Sequence, residues 1–342
     1  MSAVSAQPDG PDIMGRELAE GPAAVERTLA NVEAILPALR ALIRQADRLV
    51  LVGTGASLAM ARVAAPAWRR RLAKPVIVRQ STESVLSEAD GDRFEPRDLV
   101  VAISQAGTSP ETLAALRLAR SSGAGAIAVT AHPGSPLGSE ASLVLHVASD
   151  DEAGAATKSA LATLAALLAV AGELECDAAS RLAVSRQLAA VVADWADVAA
   201  AGPGLAAARR LWFVGFGTSL GIAEAGALLW HEKVIRPAVA LTPSEFRHGP
   251  IEAAGVGDAV VLVDLDPPDA RRAAYLTRLA GELAQLGVAL VEVQVKPSGS
   301  AVAALLRVQQ LARASALSAG TYRDEFAVLR QVVTAASDLF TR

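Results

Sequence analysis

Asp98-Leu-Val-Val-Ala-Ile-Ser-Gln-Ala-Gly-Thr-Ser-Pro-Glu111 runs from an apolar segment through a polar loop to a helix start. Leu99 to Ile103 is unbroken, rich in β-branched residues and of strand length, the pattern of a strand buried on both faces of a parallel sheet. Ser104, Gln105, Gly107, Thr108 and Ser109 then form a hydroxyl-rich loop. Pro110 fits the first turn of a helix over Pro110 to Arg120, where an amide needs no partner. Strand, hydroxyl loop and helix N-terminus together make an anion site, for which phosphate is the obvious small ligand. On this loop alone, that reading stands level with plain capping, because Ser or Thr before a helix is ordinary N-cap and turn chemistry. The loop matches neither the P-loop pattern nor the dinucleotide fingerprint, so a nucleotide is not the first choice.

Outward from this stretch, 342 residues that are 52% hydrophobic leave room for two domains with large cores. The net charge of -4 gives no basic footprint, so no nucleic-acid partner is expected. Cys176 stands alone, which rules out a disulfide framework or a CxxC metal site and makes a reducing cytoplasm the natural compartment. His132, His146, His231 and His248 show no zinc-ligand spacing, and neither a metal nor a cofactor is expected. No early apolar stretch resembles a signal peptide, and Ala160 to Ala171 is too short to span a bilayer, so no membrane partner is expected.

In chain order, residues 1–12 read as a disordered lead, and Val25, Leu29, Val32, Ile35, Leu36, Leu39, Leu42 and Ile43 lay down one apolar helix face. Strands are expected at Arg48–Val52, Lys74–Val78, Leu99–Ile103, Ala124–Val129 and Leu143–Val147, separated by helices long enough for right-handed crossovers. That is a doubly wound parallel sheet, with ligands at the carboxyl ends of its strands. Glu173 to Ala201 is expected to be helical. The pattern then returns at an offset of 162 residues: Arg48-Leu-Val-Leu-Val-Gly-Thr-Gly-Ala-Ser57 reappears as Arg210-Leu-Trp-Phe-Val-Gly-Phe-Gly-Thr-Ser219, with Pro75 and Glu83 answered by Pro237 and Glu245. Several matches at one offset imply two copies of one fold, over residues 13–172 and 173–342. The second copy's strand Ala259–Val263 runs into Asp264-Leu-Asp-Pro-Pro-Asp269, whose carboxylates would repel a phosphate.

These residues resemble the sugar isomerase (SIS) domain family in its tandem, flavodoxin-like α/β form. The likeness runs from Arg16-Glu-Leu through Ser104-Gln-Ala-Gly-Thr-Ser109 and Ala156-Thr-Lys-Ser159 to Ser244-Glu-Phe-Arg-His-Gly-Pro250, with Ala223 to Lys233 ahead of the last motif. The group includes the isomerase half of glucosamine-6-phosphate synthase and the SIS-type glucosamine-6-phosphate deaminases. The resemblance implies phosphate contacts at Ser57, Ser104, Gln105, Thr108 and Ser109, with sugar contacts at Lys158 and Ser159. It implies proton transfer at Glu232 and ring opening at His248, the histidine serving a neighbouring subunit and so implying a homodimer with shared sites. Ala106 stands where the synthase has a serine, which costs one hydroxyl.

Chemically, a carboxylate on a buried helix suits proton transfer between C2 and C1, and an imidazole exchanges protons near neutral pH. The bland alternatives are that Glu232 pairs with Lys233 or Arg236 on a solvated face, and that His248 caps a turn before Gly249-Pro250. His231 reads as structural or as a substrate-edge contact, and His132 as turn chemistry. Two departures bear on activity: Leu229 replaces a lysine three residues before the glutamate, and the tail lysine that forms an imine in relatives falls on Arg330 or Gln331. Neither does covalent amine chemistry. The expectation is a phosphosugar isomerase acting on a hexosamine 6-phosphate with release of ammonia. A plain aldose/ketose isomerase and a fructosamine-phosphate deglycase are the enzymatic alternatives, and a non-catalytic phosphosugar regulator is the alternative of another class.

Overall fold

A computed structural model describes residues 12–87, 93–265, 269–293, 295, 300–328 and 337–340. Arg330 and Gln331, the expected tail contacts, lie outside these, as do Asp266 and the lead up to residue 11. The chain separates into two units of interleaved segments. One comprises Gly21–Glu152, Lys158–Arg186 and the described residues from Phe326 onward; the other comprises the described residues up to Glu20, Ala153–Thr157 and Gln187–Glu325.

The first unit holds five parallel strands, β1 (Arg48–Gly53), β2 (Val76–Gln80), β3 (Asp98–Ile103), β4 (Gly125–Thr130) and β5 (Leu143–His146), in the order β2-β1-β3-β4-β5. Val50 lies opposite Val100 on one side and Ile77 on the other. β3 is buried along its whole length, as a strand with helices on both faces must be. Helix α1 (Ile13–Gln45) opens the chain, followed by α2 (Ala56–Leu72), α3 (Ser81–Leu86), α4 (Pro110–Ser121), α5 (Pro136–Glu140) and α6 (Lys158–Val170). Ala115 and Ala119 of α4 pack with Val50, Val52, Val100 and Phe94, each fully buried Val contributing roughly 1.5–3 kcal/mol. Every residue of α6 is buried, which explains its apolar composition all round without a membrane. Among the described residues no single helix is long and apolar enough to cross one.

The second unit carries β6 (Leu211–Gly215), β7 (Val239–Leu241), β8 (Ala259–Val263) and β9 (Ala289–Val293), all parallel, in the order β7-β6-β8-β9. This is the order of the first four strands of the other sheet. Helices α7 (Ala178–Ala193), α8 (Ala196–Ala207), α9 (Thr218–Leu229), α10 (Pro243–Arg247), α11 (Ala270–Gln285) and α12 (Ala301–Ala319) complete the α-helices among the described residues, and a π-helical turn, Trp230–Val234, extends α9.

Alternation along β6 sends side chains to opposite faces. Trp212 and Val214, with Val260 and Leu262 of β8, pack on Phe246 of α10 and on Leu276, Leu279 and Leu283 of α11. Phe213 instead meets Trp230 edge-on at 5.9 Å. A Cβ on Gly226 of α9 would come within 2.6 Å of Phe213 and 2.9 Å of Val308 of α12, so α9, its π turn and α12 cover this second face.

The single helix expected over Glu173–Ala201 is two, α7 and α8, broken at Asp194 and Trp195. Arg307 of α12 donates to the Asp194 carbonyl and, at 2.7 Å, to its carboxylate. The Arg313 guanidinium stacks 5.1 Å over Trp195. These long-range contacts outweigh the local helical preference of the alanine-rich segment.

Candidate functional site

In the first sheet the chain turns toward β2 after β1 and toward β4 after β3, so β1 and β3 flank the point where strand order reverses. Ligands of doubly wound sheets bind outside the carboxyl ends of the strands at such a point. The loop 104–109 leaves β3 there and is pinned by its backbone. Ser104 N donates to Val129 O at 3.0 Å, Ala131 N and Thr130 Oγ1 donate to Gln105 O at 3.0 Å each, and Leu137 N donates to Gly107 O at 3.1 Å. Gly107 has φ +65°, and a Cβ there would lie 1.9 Å from Ser135 Oγ, so only glycine closes this turn. Gly107 N–H also meets Ser104 Oγ at 3.2 Å, which leaves that hydroxyl's own proton as the remaining donor.

The capping alternative is decided by geometry. Ser109 occupies the N-cap of α4 and makes no side-chain capping hydrogen bond. Across the crevice, α2 starts at Gly55, φ 57°, which has no side chain to cap with. Two helix N-termini therefore open on the same switch point without side-chain caps, and their first amides carry the partial positive charge that favours an anion. Thr108 is exposed, and Ser57, Gln105 and Ser109 are half-buried. Sequence reading missed Thr54: its Oγ1 is shut off from solvent at the end of β1 with no hydrogen-bond partner among the described residues. Its place inside the Gly53-Thr-Gly55 turn was the available signal.

The remaining expected residues have more local engagements. Ser159, near the start of α6, gives its N–H to Glu152 at 3.0 Å and its hydroxyl to the same carboxylate. Lys158 beside it is buried. His132 sits in a turn, its carbonyl accepting from Ser135 N at 2.9 Å.

In the second unit, Glu232 lies half-buried on the π turn, the kind of one-residue insertion in a helix that recurs at functional sites. Its expected alternative partner Arg236 donates instead to Ala206 O at 2.6 Å, while Lys233 is buried rather than solvated. His231 Nε2 accepts from Ala238 N at 3.0 Å, a structural role. His248 is exposed at the C-cap of α10, just past Phe246 in the core and Arg247, which is bidentate to Glu282 at 2.9 and 2.6 Å. The π turn that carries Glu232 lies on the face covered by α9 and α12, while α10, which His248 caps, lies on the face it covers with α11. Among the described residues no group of three or more His, Cys, Asp or Glu could hold a metal ion.

A flavodoxin-like strand order with a hydroxyl loop and two uncapped helix starts at its switch point is the arrangement at which doubly wound α/β domains take small anions. Residues 42–172 match the SIS domain family. Over 271 residues the chain is 31% identical to the glutamine–fructose-6-phosphate aminotransferase (isomerizing) of Pyrobaculum aerophilum, covering 75% of this chain and 44% of that protein. It thus spans under half the length of that relative. The fold is shared with the tagatose-6-phosphate ketose/aldose isomerase of Escherichia coli, at TM-score 0.80 and 22% identity over 95% of this chain and 98% of that one. It is also shared with the glucosamine-6-phosphate deaminase of Thermotoga maritima, at TM-score 0.73 and 20% identity over 93% and 98%.

Proposed function

We propose that this protein is a phosphosugar isomerase acting on a hexosamine 6-phosphate, with a second SIS domain in its C-terminal half from residue 173. The phosphate would be held by Ser104, Gln105, Thr108 and Ser109 with Ser57 across the crevice, and the start of α6 at Lys158 and Ser159 would face the sugar. The observation that carries this reading is the uncapped hydroxyl loop at the β1/β3 switch point inside an SIS domain. Glu232 would move a proton between C2 and C1 of the open-chain sugar, and His248 would open the ring. Isomerisation of an aminoaldose yields a ketimine, which water hydrolyses to the ketose phosphate and ammonia. The sequence similarity to an isomerizing aminotransferase supports the isomerase step; the ammonia-releasing outcome rests on the resemblance stated from sequence. The test is exchange of the C2 proton with deuterated water across a panel of hexosamine and hexose 6-phosphates, with ammonia followed in parallel. C2 exchange without ammonia would reduce the reading to a plain isomerase or a deglycase.

The elements that carry Glu232 and His248 cover opposite faces of one sheet, which supports a site that takes the histidine from a second copy of the chain, and so a homodimer. Mixing inactive Glu232→Gln with inactive His248→Ala should then restore activity through hybrid sites. The same separation, with a buried Leu229 in place of the family's lysine, favours a second reading: a regulator that binds phosphosugars without turnover. Tight binding without C2 exchange for any sugar of the panel would establish it.

A further inference from the structure

Lys233 stands next to Glu232 on the π turn and is only 2% exposed. Desolvation pulls its pKa below the ordinary lysine value, opposed by the charges of Glu232, Asp324, Glu17 and Asp12. Burying an ammonium costs several kcal/mol unless its donors are matched. Here Nζ donates to the Arg323 carbonyl at 2.8 Å and the Asp324 carbonyl at 3.4 Å, and lies 5.2 Å over the Tyr322 ring. The Lys233 carbonyl in turn accepts from Thr321 Oγ1 at 3.2 Å. Gly154, φ +83°, fits against this clasp: a Cβ there would lie 2.4 Å from Asp324 O and 3.1 Å from Nζ.

The clasped segment is tied further. Tyr322 donates to Asp324 Oδ1 at 2.8 Å, while Met14 N and Ile13 N donate to Tyr322 Oη and Asp324 Oδ1 at 3.1 and 3.0 Å. Glu17 accepts from Ala153 N at 2.7 Å and from Thr157 Oγ1 at 2.6 Å. Four separate pieces of chain thus meet within the second unit, and the ammonium links the π turn to the Thr321–Asp324 piece.

We infer that Lys233 is a positioning residue, whose ammonium clips the π turn bearing Glu232 to the Thr321–Asp324 segment and so fixes the carboxylate for proton transfer. The role of Glu232 rests on the proposed function; the clip itself does not. Two variants separate the parts. Lys233→Met removes the ammonium at similar volume, and Thr321→Val is a milder change that breaks one bond and keeps the charge.

Amide hydrogen exchange, which needs no substrate, should rise about tenfold or more in Trp230–Val234 and Thr321–Asp324 together for Lys233→Met, and less in the same two segments for Thr321→Val. Peptides of the first sheet should be unaffected. The acid limb of the pH profile for C2 exchange should move up in Lys233→Met, because a carboxylate that loses a cationic neighbour is protonated more easily. That limb should stay in place in Thr321→Val, since the ammonium remains among Glu232, Asp324, Glu17, Asp12 and Tyr322.

Unchanged protection of both segments in Lys233→Met overturns the clip whatever the catalysis does. Lost protection with an unmoved acid limb overturns the positioning role and leaves a structural tie. A wild type that exchanges no C2 proton overturns the phosphosugar isomerase reading, and the positioning role with it, while amide exchange still reports on the clip.

Discussion

Arg48 and Asp98 close the amino end of the first sheet at Nε–Oδ1 and Nη2–Oδ2 distances of 2.8 and 2.6 Å, and Glu95 N donates to the same carboxylate at 2.8 Å. Arg210 and Asp258 repeat the arrangement in the second sheet at 3.3 and 3.0 Å, with Gly255 N at 2.9 Å. At the carboxyl ends the two sheets diverge. After β3 of the first, a hydroxyl loop meets an uncapped helix start. After β8 of the second, Asp269 caps α11 by accepting from Arg272 N at 2.9 Å, Arg272 pairs with Asp264, and Ser219 Oγ accepts from Leu265 N at 3.0 Å. Ser219, the repeat counterpart of Ser57, is wholly buried while Ser57 is half-exposed. The Arg–Asp tie at the amino end is common to both sheets, whereas the carboxyl end of the second is taken up by internal bonds that the first lacks at β3.

The contrast can be broken most decisively through chemistry. If proton transfer belongs to the second unit and phosphate binding to the first, Glu232→Gln should slow C2 exchange by about 10²–10⁴-fold while calorimetric affinity for a sugar 6-phosphate stays within error of wild type. A parallel loss of affinity would dissolve the division of labour.

Next in size, Ser104→Ala and Ser109→Ala should each weaken phosphosugar binding by about 1–3 kcal/mol, the range for hydrogen bonds to a charged group, while Ser219→Ala should not change it. Equal effects at Ser57 and Ser219 would mean that both switch points bind.

Stability reverses the pattern. Asp269→Ala removes a working cap and should cost about 1 kcal/mol in urea unfolding, whereas Ser109→Ala removes none and should stay within about 0.5 kcal/mol of wild type. A clear stability loss at Ser109 would restore capping as its role.

The smallest effect concerns pH. Burial pushes the Asp258 carboxyl up, but the Arg210 hydrogen bond, the Gly255 N–H and the charges of Arg209 and Arg210 outweigh it, so its pKa is lowered on folding. The stabilisation is therefore present above the unfolded value of about 4 and lost as pH falls through the lower folded value. Asp258→Asn should unfold at lower denaturant than wild type at neutral pH, with the gap narrowing below about pH 4. The exposed arginines keep the change small. A gap that stayed constant to pH 2 would show that the charge of Asp258 contributes nothing.

How far these differences could be read from sequence depended on their range. Apolar runs such as Leu99–Ile103 and the repeated Gly-x-Gly turns give the strands directly, because burial on both faces demands such runs, whereas their order in the sheet is not written in them. Ser109-Pro110 and Ser135-Pro136 present the same dipeptide, yet Ser135 Oγ accepts from Gly138 N at 3.3 Å and Ser109 caps nothing. What separates them is the packing of Ser135 against Gly107, a contact between distant residues that no local pattern encodes. The π turn was illegible for a related reason: one inserted residue leaves the apolar period of α9 almost intact. The break at Asp194 and Trp195 is dictated by arginines on α12, more than a hundred residues onward.

The interleaving of segments also has a consequence for the order of assembly. Helix α1 begins among residues of the second unit, where Ile13 N bonds Asp324 across 311 positions and Asp12 holds Arg313 across 301. On a ribosome that makes the chain from its amino end, the first turn of α1 is among the earliest described parts to emerge and has to wait for nearly the latest. The first sheet, whose strands pair over tens of residues, has all its strands in hand by His146. The second unit, by contrast, is closed by contacts of Asp12 and Ile13 with Arg313 and Asp324, a step of high contact order that is expected to be the slow one.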